Sequence, residues 1–75
     1  MASKEWMDQG VEQRKLILRF VKAYVKKHGY SPSMDEIAEQ LGYASKTTAR
    51  YHVRILVDQG KLAYTPGIYR SIRPL

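Results

Sequence analysis

Two start signals for helices lie only twelve residues apart in this sequence, and that spacing restricts the fold more than any other feature. Ser33, followed three positions later by Glu36, is typical of a helix N-terminus where each side chain accepts a hydrogen bond from the other residue's backbone N–H. Gly42 ends this helix after about two turns, and Ser45 is the next residue suited to an N-cap. The sequence therefore predicts two short helices joined by a tight turn that contains glycine.

A longer helix is predicted before this pair, and the second member of the pair is predicted to run from about Lys46 to Gln59 and to stop at Gly60. Within residues 11–28, apolar side chains recur with the helical period, and Gly29 is suited to end that helix. We expect its buried face to consist of Leu16, Ile17, Phe20, Val21, Tyr24 and Val25.

After Gly60 the apolar period changes to two, which is typical of β-strands. Residues 61–65 and 68–73 are predicted to form a hairpin, with Pro66 and Gly67 in a type II turn at its tip. We expect this hairpin to complete the core through Leu62, Tyr64, Ile68 and Ile72. The predicted fold is mainly α with a small β hairpin: a winged helix-turn-helix of three helices and a two-stranded wing.

The 75 residues allow one domain, which we place at residues 11–75 after a flexible N-terminal arm at 1–10 where nothing fixes Trp6 and Met7. The chain has no cysteine and no long apolar run, which favours a cytoplasmic protein that does not enter a membrane. We find no catalytic constellation and no cofactor motif, and the two separated histidines do not predict a metal site.

Positive charge is concentrated in the second half of the chain. Residues 40–75 contain six Lys or Arg and one acidic residue, and the whole chain carries a net charge of +6. A basic surface on a small domain indicates a polyanionic partner, although a solvated basic face accounts for the composition equally well.

In a helix-turn-helix, the second helix presents its N-terminal part to base edges in the major groove. Here that part carries hydroxyl and cationic side chains and no acidic one. We predict that bases are read by Ser45, Thr47, Thr48, Arg50 and Tyr51, and that the DNA backbone is contacted by Lys46, Arg54, Lys61, Arg70 and Arg73. Some of these residues also suit purely structural roles: Ser45 a helix cap, Tyr51 packing on a neighbouring helix, and the arginines a solvated face.

The stretch Gly29–Leu75 contains the segment EIAEQLGYAS, and its wing ends with RSIR. With these motifs, the sequence from Val11 to Leu75 resembles the N-terminal DNA-binding domain of LexA-type repressors. It implies a winged helix that binds double-stranded operator DNA, with bases read from positions Ser45, Thr47, Thr48, Arg50 and Tyr51. Better-known members often have Asn or Glu where Thr47, Arg50 and Tyr51 stand, so the resemblance implies a different operator.

The resemblance also implies a second domain in such repressors, which dimerises and cleaves itself with a Ser–Lys pair. This sequence lacks that domain, so we expect a transcriptional repressor domain that is not an enzyme, either excised from a longer protein or acting alone. We expect it to be a monomer in solution and to pair on DNA. The alternative function is a winged-helix module that docks on a protein and does not bind DNA.

Overall fold

The computed structural model describes the backbone of residues 2–75 and the side chains of residues 10–75. Three helices are followed by a small antiparallel sheet: α1 (Ala2–His28), α2 (Met34–Leu41), α3 (Lys46–Asp58), β1 (Leu62–Ala63) and β2 (Arg73–Pro74). This order confirms the predicted winged helix-turn-helix. Helix α1 begins at Ala2 rather than near residue 11, and the side chains of Trp6 and Met7 lie outside the described residues.

Helix α2 begins where its capping signals predict. The Ser33 hydroxyl accepts a hydrogen bond from the Glu36 backbone N–H at 3.1 Å, and the Glu36 carboxylate accepts one from the Ser33 N–H at 2.7 Å. At the other end Gly42 takes a left-handed conformation with φ 73°, which glycine adopts without steric cost. Residues 42–45 thus form the tight turn that the sequence predicts.

The core lies where the three helices meet the sheet. Its fully or almost fully buried apolar residues come from every element except β2, together with one residue from the wing loop: Ile17, Val21, Ile37, Ala38, Ala49, Val53, Leu56, Leu62 and Ile72. Within the predicted buried face of α1, Ile17 and Val21 are inaccessible to solvent, whereas Leu16 is 42% exposed. The apolar face of α1 is therefore wider than the part of it that packs against the core.

The wing differs from the predicted hairpin. Only Leu62 with Pro74 and Ala63 with Arg73 pair across the sheet, so residues 64–72 form a loop instead of continuing the two strands. The predicted turn is present, since the Ile68 N–H donates to the Thr65 carbonyl at 3.1 Å. Beyond it, the Ser71 hydroxyl bonds both the N–H and the carbonyl of Thr65, at 3.1 and 2.9 Å. The Ser71 side chain thereby bonds the backbone N–H and carbonyl of Thr65, which a longer pair of strands would have used for pairing.

Two further corrections concern the wing loop. Ile68, predicted to complete the core, is 58% exposed, while Ile72 is 2% exposed as predicted. Arg70 has a left-handed backbone with φ 57°, the one described non-glycine residue with a positive φ. Strand alternation therefore stops at the turn, and the backbone at Arg70 leaves the extended conformation that a strand requires.

Candidate nucleic-acid interface

The N-terminal half of α3 presents a continuous exposed face. Ala49 and Val53 are fully buried against the other helices, which leaves the opposite side of α3 to solvent. All five predicted base-reading residues are exposed on this helix or at its cap: Ser45, Thr47, Thr48, Arg50 and Tyr51. Arg54 follows one helical turn after Arg50 and is exposed as well. The structure thus brings hydroxyls and two guanidinium groups together on one accessible surface.

Ser45 occupies the N-cap position of α3 but does not cap it with its side chain. Its backbone is extended, with φ −145° and ψ 158°, and its hydroxyl makes no capping hydrogen bond. The N–H groups of the first turn of α3 therefore receive no hydrogen bond from the Ser45 side chain. Free N–H groups at a helix start favour anions such as phosphate.

Tyr51 is 61% exposed, and its ring meets the ring of His52 edge to face with centroids 5.2 Å apart. His52 lies on the same helix, so this contact is not packing on a neighbouring helix, and most of the Tyr51 side chain is accessible.

Lys46 lies beside the start of α2. Its Nζ is 3.9 Å from an Asp35 carboxylate oxygen, and both side chains are more than half exposed. An ion pair this exposed contributes little to stability, so a phosphate can replace the carboxylate at low cost.

A groove of about 440 Å³ separates α3 from the wing loop. Arg50 and Arg54 line its α3 side together with Asp58, and Tyr64 lines its wing side, with Pro66 and Gly67 at the tip. The two arginines can therefore contact a ligand either on the exposed face of α3 or in this groove. Asp58 makes one end of the groove less positive.

The predicted backbone-contacting residues of the wing do not share one environment. Lys61, before β1, and Arg73, on β2, are exposed. Arg70, by contrast, extends away from the wing and bonds Glu36 at the start of α2. Its Nη1 lies 2.7 Å from Glu36 Oε1, and it also donates to the Ser31 carbonyl at 2.9 Å.

Aromatic side chains surround this Arg70–Glu36 ion pair. The guanidinium carbon of Arg70 lies 4.9 Å from the ring centroids of both Tyr30 and Tyr69, a cation–π distance. The Tyr24 hydroxyl donates to Glu36 Oε2 at 3.0 Å. The hydrogen bonds from Arg70 and from the Ser33 backbone hold the pKa of Glu36 at about 2. Because this guanidinium already binds a carboxylate, Arg70 is less available to a phosphate than the exposed Lys61 and Arg73.

A second polar cluster lies between α3 and α1, on the side of α3 that is turned away from the exposed face. His52 is 9% exposed, and its Nδ1 lies 3.4 Å from Nη1 of Arg14 on α1. Burial, and then the positive charge of Arg14, lower the pKa of His52. Its ring stacks on Tyr43, whose hydroxyl donates to Gln13 Oε1 at 2.6 Å. These contacts join the turn before α3 to α1, and no local pattern in the sequence indicated them.

A family model described as the LexA DNA binding domain matches residues 7–71 of this chain. The chain belongs to this family. The match covers α1 from residue 7 onward, all of α2 and α3, and the wing as far as Ser71.

Curated relatives agree with this assignment. A LexA repressor of Desulfatibacillum aliphaticivorans is 33% identical over 69 residues, which cover 92% of this chain and 34% of the relative. LexA repressor 2 of Pseudomonas putida is 36% identical over 67 residues, 89% of this chain and 33% of the relative. A LexA repressor of Pseudomonas aeruginosa is 40% identical over 57 residues, 76% and 28% of the two chains. The chain thus spans about a third of the length of the curated relatives it matches.

None of the helices in the described part of the chain is both long enough and apolar enough to span a membrane.

Proposed function

We propose that this domain binds double-stranded DNA in a sequence-dependent way and belongs to a transcriptional repressor. One observation carries the proposal: the exposed face of α3 between Ser45 and Arg54 has hydroxyl and cationic side chains and no acidic residue. The names of the relatives, LexA repressors, support the direction of regulation. We also propose a cytoplasmic location, because a repressor must reach the DNA that it controls.

In the proposed complex, the first turns of α3 enter the major groove, which accommodates one helix. Arg50 reads a base, since a guanidinium can bond guanine at two positions, while Thr47 and Thr48 offer hydroxyl and methyl groups to base edges. Ser45 and Tyr51 lie at the two ends of this reading segment.

Lys46, Arg54, Lys61 and Arg73 contact phosphates and fix the register of the domain on the duplex. All four side chains are exposed, and they frame the reading segment from the start of α3, its middle and the base of the wing.

The test is selection of bound duplexes from a random pool, followed by titration of the enriched site and of a scrambled version. We expect enrichment of one sequence and an affinity difference of at least about 10³-fold between the two duplexes. A protein-docking module would give neither enrichment nor binding to any duplex at low salt, and that result would refute the proposal.

A further inference from the structure

Helix α1 carries a second cationic surface, which the proposed reading of DNA by α3 does not use. Lys15, Arg19, Lys22 and Lys26 recur at helical spacing and are all exposed. They form one line along about 16 Å of the helix, at a rise of about 1.5 Å per residue. We call these four residues the α1 stripe.

The stripe has a single sign. From residue 13 to residue 28, α1 contains no Asp or Glu. Among the described side chains, the stripe has one carboxylate neighbour within ion-pair distance, the exposed Glu12, 3.9 Å from Lys15. Consecutive members of the stripe are three or four residues apart, a spacing at which like charges destabilise a helix. A solvated surface usually mixes both signs, so this arrangement calls for an anionic partner.

The stripe faces away from the core and is open. Ile17 and Val21, on the opposite side of α1, are fully buried. A shallow depression of about 360 Å³ on the outer side is lined by Lys15, Leu18, Arg19 and Lys22, all from α1 itself. Because Ile17 and Val21 share the core with Ala49 and Val53 of α3, the stripe and the reading face of α3 point away from that core in different directions.

We propose that the α1 stripe binds the phosphate backbone of a second DNA duplex, so that one domain can hold two duplexes at once. This inference rests on the proposed function, since α3 must hold the first duplex. The core that Ile17 and Val21 share with Ala49 and Val53 lies between α3 and the outer side of α1, and it separates the two proposed duplexes.

The composition and length of the stripe favour DNA over an acidic protein surface. One strand of a duplex carries a phosphate every ~3.4 Å of axis, so about five phosphates lie along the length of the stripe. Three of the four cations are lysines, which act as mobile point charges and lack the fixed geometry with which Arg pairs a carboxylate. Such a surface suits a regular, sequence-independent line of negative charge.

The experiment measures capture of a second duplex. An immobilised duplex carrying the selected site is saturated with the intact 75-residue protein, and a fluorescent duplex of unrelated sequence is added at low salt. The stripe variant is K15Q/R19Q/K22Q/K26Q, because glutamine keeps the helix propensity and removes the charge. Lys22→Glu and Lys27→Glu form a matched pair, with equal charge change on the same helix at exposed positions inside and outside the stripe. Circular dichroism melts confirm that each variant folds, and Lys22→Gln replaces Lys22→Glu if that variant does not.

We expect the wild-type protein to capture the fluorescent duplex and the stripe variant to lose at least about tenfold of this capture. Lys22→Glu lowers capture about threefold or more, and Lys27→Glu leaves it unchanged. All variants retain binding to the immobilised duplex at ~0.1 M salt, where the Debye length of about 10 Å screens distant charges.

The proposal is overturned if the wild-type protein captures no second duplex. It is also overturned if the stripe variant captures as much as the wild type, because pairing between two DNA-bound copies would then explain the capture. Binding of polyglutamate at the stripe without duplex capture would also overturn it, in favour of an acidic protein partner. Loss of binding to the immobilised duplex itself would instead count against the proposed function, so the two failures are distinguishable.

Discussion

Arg70 Nη1 and Glu36 Oε1 lie 2.7 Å apart although 34 residues separate them in the sequence. The pair ties the wing loop to the start of α2, so the two elements beside α3 are connected to each other. About a third of each side chain is exposed, which places the pair between a surface salt bridge and a buried one.

Replacing Glu36 with Gln should separate the two roles of this residue. Glutamine at the third helical position still caps α2, but it removes the charge that holds Arg70. We expect the free energy of unfolding to fall by about 1–2 kcal/mol, less than for a fully buried pair because of the exposure. Urea unfolding measures the loss, and Glu39→Gln, an exposed change on the same helix, is the control. Equal effects of the two variants would show that the ion pair contributes nothing.

The same variant should change the response to acid. Because the folded-state pKa of Glu36 is about 2, below its usual value near 4.5, the unfolded chain binds the proton more readily. The stabilisation is therefore present above pH ~4.5 and is lost as the pH falls through about 2. Glu36→Gln should lose less stability than the wild type over this range.

Arg50 and Arg73 should differ in what their loss does to DNA binding. Arg50→Ala removes a predicted base contact and should cost about 1–3 kcal/mol on the selected site, with relaxed preference at one base position. Arg73→Ala removes a predicted phosphate contact and should weaken all duplexes about equally. Titrations of both variants on selected and scrambled duplexes measure the difference. An even loss for Arg50→Ala on both duplexes would show that Arg50 does not read a base.

The salt dependence of binding should report the number of phosphate contacts. With Arg70 bound to Glu36, four predicted contacts remain: Lys46, Arg54, Lys61 and Arg73. We expect log affinity to fall with log salt at a slope of about −3.6, from ~0.9 per neutralised phosphate. Arg73→Ala should reduce the slope by about one, and Arg70→Gln should leave it unchanged. A slope near zero for the wild type would contradict DNA binding altogether.

His52 should make folding sensitive to pH near neutrality. Burial and Arg14 lower its folded-state pKa below 6.5, so the unfolded state binds the proton more tightly. Stability should be complete above pH ~6.5 and should decline as the pH falls through the lower folded-state pKa. Urea midpoints measured across pH ~5–8 test this. His52→Gln should flatten the decline, whereas His28→Gln, at an exposed position, should not.

The domain should be a monomer in free solution and should pair only on DNA. Two half-sites on one duplex raise the local concentration of the second copy, so binding to a palindrome should be cooperative and binding to a half-site single-step. Sedimentation with and without DNA checks both statements. A tight dimer at micromolar concentration without DNA would refute the first.

Apart from the start of α1, the helices and the exposed face of α3 could be predicted because their signals are local. Ser33, Glu36 and Gly42 lie within one turn of the helix ends that they define. The spacing of the buried residues of α3 determines which side of that helix, the side with Arg50, remains exposed. The wing could not be predicted at the same level. Its alternation of apolar residues suggested a longer pair of strands. The hydrogen bonds of Ser71 with Thr65 and of Arg70 with Glu36 are tertiary contacts, and no pattern in the neighbouring sequence indicates them.

The sheet that anchors the wing contains only two residue pairs, and both lie at its base. The side-chain contacts that fix the loop come from Arg70, Ser71 and Ile72, and none of those described involves Pro66 or Gly67 at the tip. Loop tips of this kind tolerate insertions well, and each doubling of loop length costs only about 0.6 kcal/mol of closure entropy. The tip around Pro66 and Gly67 is thus a site where new peptide segments can be grafted to redesign target choice, while α3 and the core stay as they are.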